Sequence, residues 1–246
     1  MDERRAPAPS RLIIIDAVRG LAIAGVVLFH IVWDLDLYDY IPAGTATHPV
    51  WIVFGRTLAA MFMALVGVGL VLAHHGGFRS REFAKRLFAI TVAAIAVTGA
   101  TLLAFPDVFI YFGILHAIAI ASLLGALLLR LDSASLAQLG IFVILLGVAG
   151  SFDAFSPRWL AWVGFSYSAP PSLDFVPVFP WFGVTLLGMS AAKRGAAHAL
   201  ERIFWNSREA YLVQKLSLAG RHSLAIYLIH QPVLLGAIEV ARLLSS

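Results

Sequence analysis

Four ionisable residues, Asp16, Arg19, His30 and Asp34, fall within a single apolar stretch near the N-terminus. On a helix turning about 100° per residue, with Arg19 at zero, Asp16 and Asp34 lie at about 60° and His30 at about 20°. All four therefore share a narrow face, along which Arg19 and His30 stand about 16 Å apart at ~1.5 Å of rise per residue. His30 and Asp34 are one turn apart, so the carboxylate can accept an imidazole N–H, fix the tautomer and leave the other nitrogen free as a base. Asp16 and Arg19, at i and i+3, are spaced to form an ion pair. The structural alternative is that both pairs only hold the helix in a bundle. Ionisable groups within an apolar span are expensive, however, and normally face protein or a water-filled cavity.

The elements that position these residues follow from composition. Of 246 residues, 60% are hydrophobic and 13% charged, with a mean hydropathy of +0.87. Soluble globular chains carry about 25% charge, so this balance excludes most soluble enzyme classes. Apolar stretches long enough to approach the ~20 residues of a spanning helix run over 12–35, 50–73, 83–105, 108–129, 135–152, 176–192 and 222–243. The expectation is an all-α, polytopic integral membrane helix bundle of about seven transmembrane helices. The segment 151–175, rich in Pro, Trp and Ser, is the one expected to dip into the membrane.

Lys and Arg retained on the cytoplasmic side set orientation. A cytoplasmic N-terminus places Arg4, Arg5, Arg11, Arg79, Arg81, Lys85, Arg86, Arg130, Lys193, Arg194, Arg202, Arg208, Lys215 and Arg221 inside, with only Arg158 and Arg242 outside and Arg19 and Arg56 within spans. The pI of 9.7 thus reflects membrane topology, and no nucleic-acid partner is expected. The first stretch is too long for a signal-peptide core and carries Asp16 and Arg19, so it is expected to be retained. Residues 1–10 read as a flexible cytoplasmic terminus and 1–246 as a single membrane-embedded domain. The 193–220 segment reads either as an amphipathic helix lying on the inner leaflet or as a solvated cytoplasmic loop. The absence of cysteine excludes disulfides and thiol nucleophiles, and with no HExxH or other close ligand pair no metal is expected.

Topology gives the first helix its neighbours. Arg56 lies level with His30 on the second stretch; His48 precedes that stretch in Thr47-His48-Pro49-Val50-Trp51; His116, Asp174, Trp181 and His230 sit toward the outer half or the middle of later ones. An outer cavity lined by histidines is expected, with Arg56 needing an acidic partner or a ligand phosphate. Each lone histidine has a bland alternative as a satisfied core or loop residue.

At Ile15-Asp16-Ala17-Val18-Arg19-Gly20-Leu21-Ala22-Ile23, followed by Phe29-His30, the sequence resembles the transmembrane acyltransferase superfamily. Two branches share such an opening: the catalytic domain of heparan-alpha-glucosaminide N-acetyltransferase with its bacterial relatives, and the membrane O-acyltransferases of bacterial surface polysaccharides. The Arg19-to-His30 spacing looks like the second. Tyr111-Phe112-Gly113-Ile114-Leu115-His116, Pro177-Val178-Phe179-Pro180-Trp181-Phe182-Gly183 and Gly220-Arg221-His222-Ser223 look more like the first, the resemblance favoured here. In the heparan-modifying enzymes an asparagine lies where His30 stands, and a catalytic histidine of the outer loop precedes a His-x-x-Trp step that His48-Pro49-Val50-Trp51 matches.

The resemblance implies acyl transfer, from cytoplasmic acyl-CoA (acetyl-CoA is the expected donor) to a glycan or other small acceptor on the outer side of a bacterial inner membrane. It implies catalytic roles for His30, Asp34, His48, Arg56 and His116, and donor-binding roles for Asp16, Arg19 and His230. Either His30 or His48 serves as the base, by direct transfer or through an acyl-histidine. Arg19 near the inner face suits a CoA phosphate, and the run to His30 is about the length of a pantetheine arm. The rival classes are a proton-coupled or small-solute transporter, whose path a polar stripe also suits, and a non-catalytic protein that keeps the fold. A retinal-binding protein is excluded because Lys85, Lys193 and Lys215 all lie in or beside cytoplasmic loops. Gly67, Gly69, Gly113, Gly140 and Gly147 permit close packing within one chain or between two copies of a homo-oligomer.

Overall fold

The computed structural model describes residues 12–245, so the N-terminal segment read as flexible lies outside the described residues. Ten α-helices run in the order α1 (Ile13–Leu37), α2 (Pro49–Ala73), α3 (Ser80–Ala104), α4 (Ile114–Leu127), α5 (Ser133–Ala149), α6 (Arg158–Ala161), α7 (Val178–Lys193), α8 (Ala196–Ile203), α9 (Tyr211–Arg221) and α10 (Ser223–Ser245). The all-α expectation holds: the described residues form no strand, only isolated bridges between Phe112 and Phe175 and between Phe152 and Ser166.

Four of these helices, α1, α2, α3 and α10, are long and apolar enough to cross a membrane, and the protein is an integral membrane protein. The other three apolar stretches are helical but shorter, at 14 residues in α4, 17 in α5 and 16 in α7. At ~1.5 Å per residue they reach about 20–25 Å, less than a hydrocarbon core of about 30 Å. Outward-facing Phe88, Ile95 and Leu103 on α3 and Leu145 and Val148 on α5 are exposed, as lipid contact requires.

The main core lies where α2, α4, α5 and α7 meet, around Met63, Leu70, Leu136, Leu186 and Met189. Glycine allows these backbones to touch. A Cβ on Gly67 would fall on the Thr185 carbonyl, and one on Gly188 on that of Ala64; Gly140 and Gly183 oppose each other in the same way between α5 and α7. Gly67, Gly140 and Gly147 therefore all serve packing within this one chain.

The amphipathic segment is resolved differently from the sequence expectation. It breaks into α8 and α9, and α9 packs along the first turns of α1, where a Cβ on Gly20 would meet the Leu216 carbonyl and one on Gly220 that of Asp16. Ser217 is fully buried in this crossing. Small residues on both helices make a packed pair more favourable than a helix lying free, although Tyr211, Leu212 and Leu218 still face outward. α8 contributes Glu201, whose Oε1 accepts the Ile14 N–H of the first turn of α1 at 2.5 Å while Oε2 lies 3.6 Å from Arg208 Nε.

The segment between α5 and α7 is tied to the bundle by backbone bonds from Val178 N–H to Trp162 O, Phe179 N–H to Val163 O and Leu173 N–H to Val108 O. Arg158 packs its guanidinium over Phe109 and Tyr111.

Candidate functional site

A cavity of about 810 Å³ lies between α1, α2, α3, α4 and the α9–α10 junction. One end carries Arg19, Arg86 and Arg221. The other carries His30, Trp33, Thr47, Arg56, Asp174 and Trp181, and its middle is apolar, with Ile23, Phe62, Val66, Ile90 and Ile118. The stripe on α1 supplies one wall: Arg19, Ile23, Val26, His30 and Trp33 recur every three or four residues, the spacing that keeps one helix face toward the cavity.

At the arginine end Asp16 accepts from Arg19 Nη1 at 3.3 Å, the ion pair expected from the i, i+3 spacing. Its second oxygen lies 3.6 Å from Arg221 Nε. Three guanidiniums and one carboxylate leave this end positive. The sequence marks Arg86 and Arg221 only as charges of the expected cytoplasmic side, and the fold brings both to the cavity. The available signal was depth: Arg86 falls a full turn farther into its apolar stretch than Arg81, on the same face as Ala89 and Ile90, both of which line the cavity.

At the other end His30 lines the cavity, but its pairing differs from the one expected. His30 Nδ1 donates to the Val26 carbonyl at 2.9 Å, a turn back along α1, which leaves Nε2 as the acceptor. Asp34, only 1% exposed, accepts from the Gln231 side-chain amide at 2.8 Å instead of from His30. The cause is the packing of α10 on α1, which brings Gln231 across to Asp34 and His230 against His30, ring centroids 4.7 Å apart and nearly edge-on. His230 stands behind His30 and does not line the cavity.

Arg56 lines the cavity, and no carboxylate among the described residues pairs with it. His48 is exposed at the start of α2, where its Nδ1 accepts the Val50 N–H at 3.4 Å as a helix cap. Its neighbours Ala46 and Thr47 reach the cavity, whereas His48 does not line it. That loop is shaped by Asp36, which the sequence reading passed over: its two oxygens accept from Gly44 N–H at 3.0 Å and Ala46 N–H at 2.8 Å.

His116 is not brought to the cavity. Its Nδ1 accepts from Gly113 N–H at 3.2 Å and its Nε2 lies 3.3 Å from the Thr98 hydroxyl, so both nitrogens are engaged in starting α4 and holding it to α3. The motif around it delivers Asp174 instead. Asp174 Oδ2 accepts from Ile114 N–H at 2.7 Å and from the Tyr227 hydroxyl at 3.4 Å, and a Cβ on Gly113 would occupy the position of that carboxylate. Burial pushes the Asp174 carboxyl above the usual carboxylate range, against the pull of the Ile114 and Tyr227 hydrogen bonds. No group of three His, Cys, Asp or Glu suited to a metal occurs among the described residues.

The arrangement is a channel-like pocket with phosphate-binding chemistry at one end and an imidazole acceptor at the other. Compared with known families, residues 11–232 match the family described as "Heparan-alpha-glucosaminide N-acetyltransferase, catalytic", and the chain belongs to that family. No curated protein and no solved structure matches the chain.

Proposed function

Given that family membership, we propose that the chain is a membrane acyltransferase that moves an acyl group, acetyl in the first instance, from cytoplasmic acyl-CoA to a glycan or small acceptor on the outer side. The observation that carries it is the single cavity joining Arg19, Arg86 and Arg221 to His30. Phosphates of the donor would meet the guanidiniums, which bind phosphate oxygens by charge-assisted hydrogen bonds. The pantetheine arm would run through the apolar middle, since about 16 Å separates Arg19 from His30 on one helix. The orientation rests on the basic residues: α1 begins, α2 and α7 end and α8 lies at the end richest in Lys and Arg. The seven helices at the predicted stretches then alternate across the membrane, α4, α5 and α7 as short spans.

In this scheme His30 Nε2 takes the proton of the acceptor hydroxyl or amine as the acceptor oxygen or nitrogen bonds to the thioester carbonyl carbon. The carbon–sulfur bond then breaks and the departing CoA thiolate takes up that proton, leaving acylated acceptor, free thiol and neutral His30. Arg56, which has no carboxylate partner among the described residues, lines the same cavity and could face the developing oxyanion or an anionic acceptor. His48 at the mouth remains the second candidate base, and Asp16 supports the donor end by fixing Arg19.

The rival transporter reading is separated by two measurements on purified protein. Saturable acetyl-CoA binding in nanodiscs, without solute uptake into proteoliposomes, supports the acyltransferase; uptake without acetyl-CoA binding overturns it.

A further inference from the structure

A second cavity, of about 530 Å³, lies at the start of α1 and shares no lining residue with the first. Leu12, the residue before that spanning helix, forms part of its wall, so the cavity stands at the membrane boundary and not within the hydrocarbon. Arg194, Arg202 and Arg208 converge on it together with His198 and Trp205. The backbone explains the convergence. Gly195, at φ 80°, turns the chain between α7 and α8 and brings Arg194 beside the latter. His198, Arg202 and Trp205 then recur every three or four residues along α8 and the turn after it, which puts them on one edge. Leu200 and Ile203 leave from the other edge as exposed apolar side chains.

The charges around this cavity do not cancel. Its one carboxylate, Glu201, is buried and already engaged, Oε1 by the Ile14 N–H and Oε2 by Arg208, whose guanidinium also lies 4.4 Å over the Trp205 ring. No carboxylate among the described residues pairs with Arg194 or Arg202. Arg194 donates its Nε–H to the Ser133 hydroxyl at 3.5 Å, which leaves its two Nη groups directed elsewhere. Three guanidiniums against one carboxylate make a positive concavity rich in N–H donors. Such forks match phosphate oxygens in charge and in geometry. Arginines that only set topology need not converge, and these three close on a cavity.

We propose that this cavity is a second phosphate-binding site, taking a phosphate group carried either by an anionic phospholipid at the membrane boundary or by a soluble phosphate compound. Arg194 and Arg202 hold the phosphate oxygens from the end of α7 and from α8. Arg208, fixed by Glu201 and by the Trp205 ring, completes the positive wall. Glu201 also holds the first turn of α1, so the site is built against the helix that lines the first cavity. The proposal does not depend on the acyltransferase reading.

The test uses full-length protein in nanodiscs and reads the melting midpoint, which a ligand of the folded protein raises. Inorganic pyrophosphate, added to nanodiscs of zwitterionic phosphatidylcholine, is the soluble probe; phosphatidylglycerol, mixed into the nanodisc, is the lipid probe. A saturable rise with pyrophosphate assigns the soluble source, and a rise with phosphatidylglycerol alone assigns the lipid. In either case the double variant Arg194→Gln, Arg202→Gln, which keeps the Arg208–Glu201 pair, is expected to need at least about tenfold more probe for the same rise. The double variant Arg81→Gln, Arg130→Gln removes the same charge outside both cavities and should respond as the wild type does. So should Arg86→Gln, altered in the first cavity alone. Three results would overturn the proposal: no rise with either probe, an equal loss in the Arg81/Arg130 variant, or a rise lost in Arg86→Gln and kept in the Arg194/Arg202 variant.

Discussion

Arg221 reaches from the end of α9 to Asp16 on α1, Nε to Oδ2 at 3.6 Å, one residue away from the point where Gly220 lies against the Asp16 backbone. Backbone contact and ion pair together fix the arginine end of the cavity, because Asp16 also holds Arg19. The geometry of this arginine cluster is therefore set by two helices far apart in sequence.

Replacing Arg86 or Arg221 with Gln is expected to weaken acetyl-CoA binding. A hydrogen bond to a charged group contributes about 1.5–3 kcal/mol, or roughly 10- to 100-fold in affinity. Acetyl-pantetheine, which lacks the nucleotide phosphates, should bind equally to wild type and variants. Calorimetry with both ligands checks this, and an equal loss for the two would point to general disruption of the cavity.

Much of this was legible in the sequence. The all-helical membrane class followed from hydropathy, and the Asp16–Arg19 pair and the cavity face of α1 followed from helical periodicity. The partner of Asp34 was not, because a one-turn spacing permits a bond to His30 but cannot reveal that Val26 O takes the imidazole N–H and Gln231 arrives from α10. For His116 the resemblance implies a catalytic role and helix burial a satisfied core residue, and the sequence could not show that the Gly113 backbone and the Thr98 hydroxyl engage both of its nitrogens. Arg86 and Arg221 stand among topology-setting charges; the depth of Arg86 in its apolar stretch sets it apart, whereas only the packing of α9 on α1 distinguishes Arg221 from an interfacial arginine.

The α2–α7 crossing is expected to be intolerant of side chains. Gly67→Ala places its Cβ on the Thr185 carbonyl, and overpacking of this kind costs about 1–3 kcal/mol. Thermal unfolding in detergent should show a lowered midpoint for Gly67→Ala and little change for Gly99→Ala, where the added Cβ meets nothing within 4 Å.

Asp132 caps α5, accepting from Ala134 N–H at 2.8 Å, Ser135 N–H at 3.0 Å and the Ser135 hydroxyl at 2.6 Å. The Ser135 hydroxyl first, then these amides, lower its pKa from 3.8 to about 2. A carboxyl with a depressed folded pKa stabilises fully above its unfolded value and loses that contribution as pH falls through the folded one. The cap is thus expected to weaken between pH 3.8 and about 2. Asp132→Asn should flatten the pH dependence of the melting midpoint in that window, and a wild-type slope retained in the variant would assign it to another group.

Gly113→Ala is expected to push Asp174 from its place under the α4 N-terminus, since the new Cβ would occupy the carboxylate site. Acyl transfer should fall while donor binding at the arginine end, on other elements, stays near wild type. Parallel binding and turnover assays separate the two effects.

The most direct measurement is made on His30. Wild-type protein in nanodiscs, given acetyl-CoA and an amino-sugar acceptor, should release free CoA thiol and acetylated acceptor. His30→Ala should insert, fold and bind acetyl-CoA as the wild type does, yet release neither product. Equal rates of thiol release and acceptor acetylation by the two proteins would contradict a base at His30.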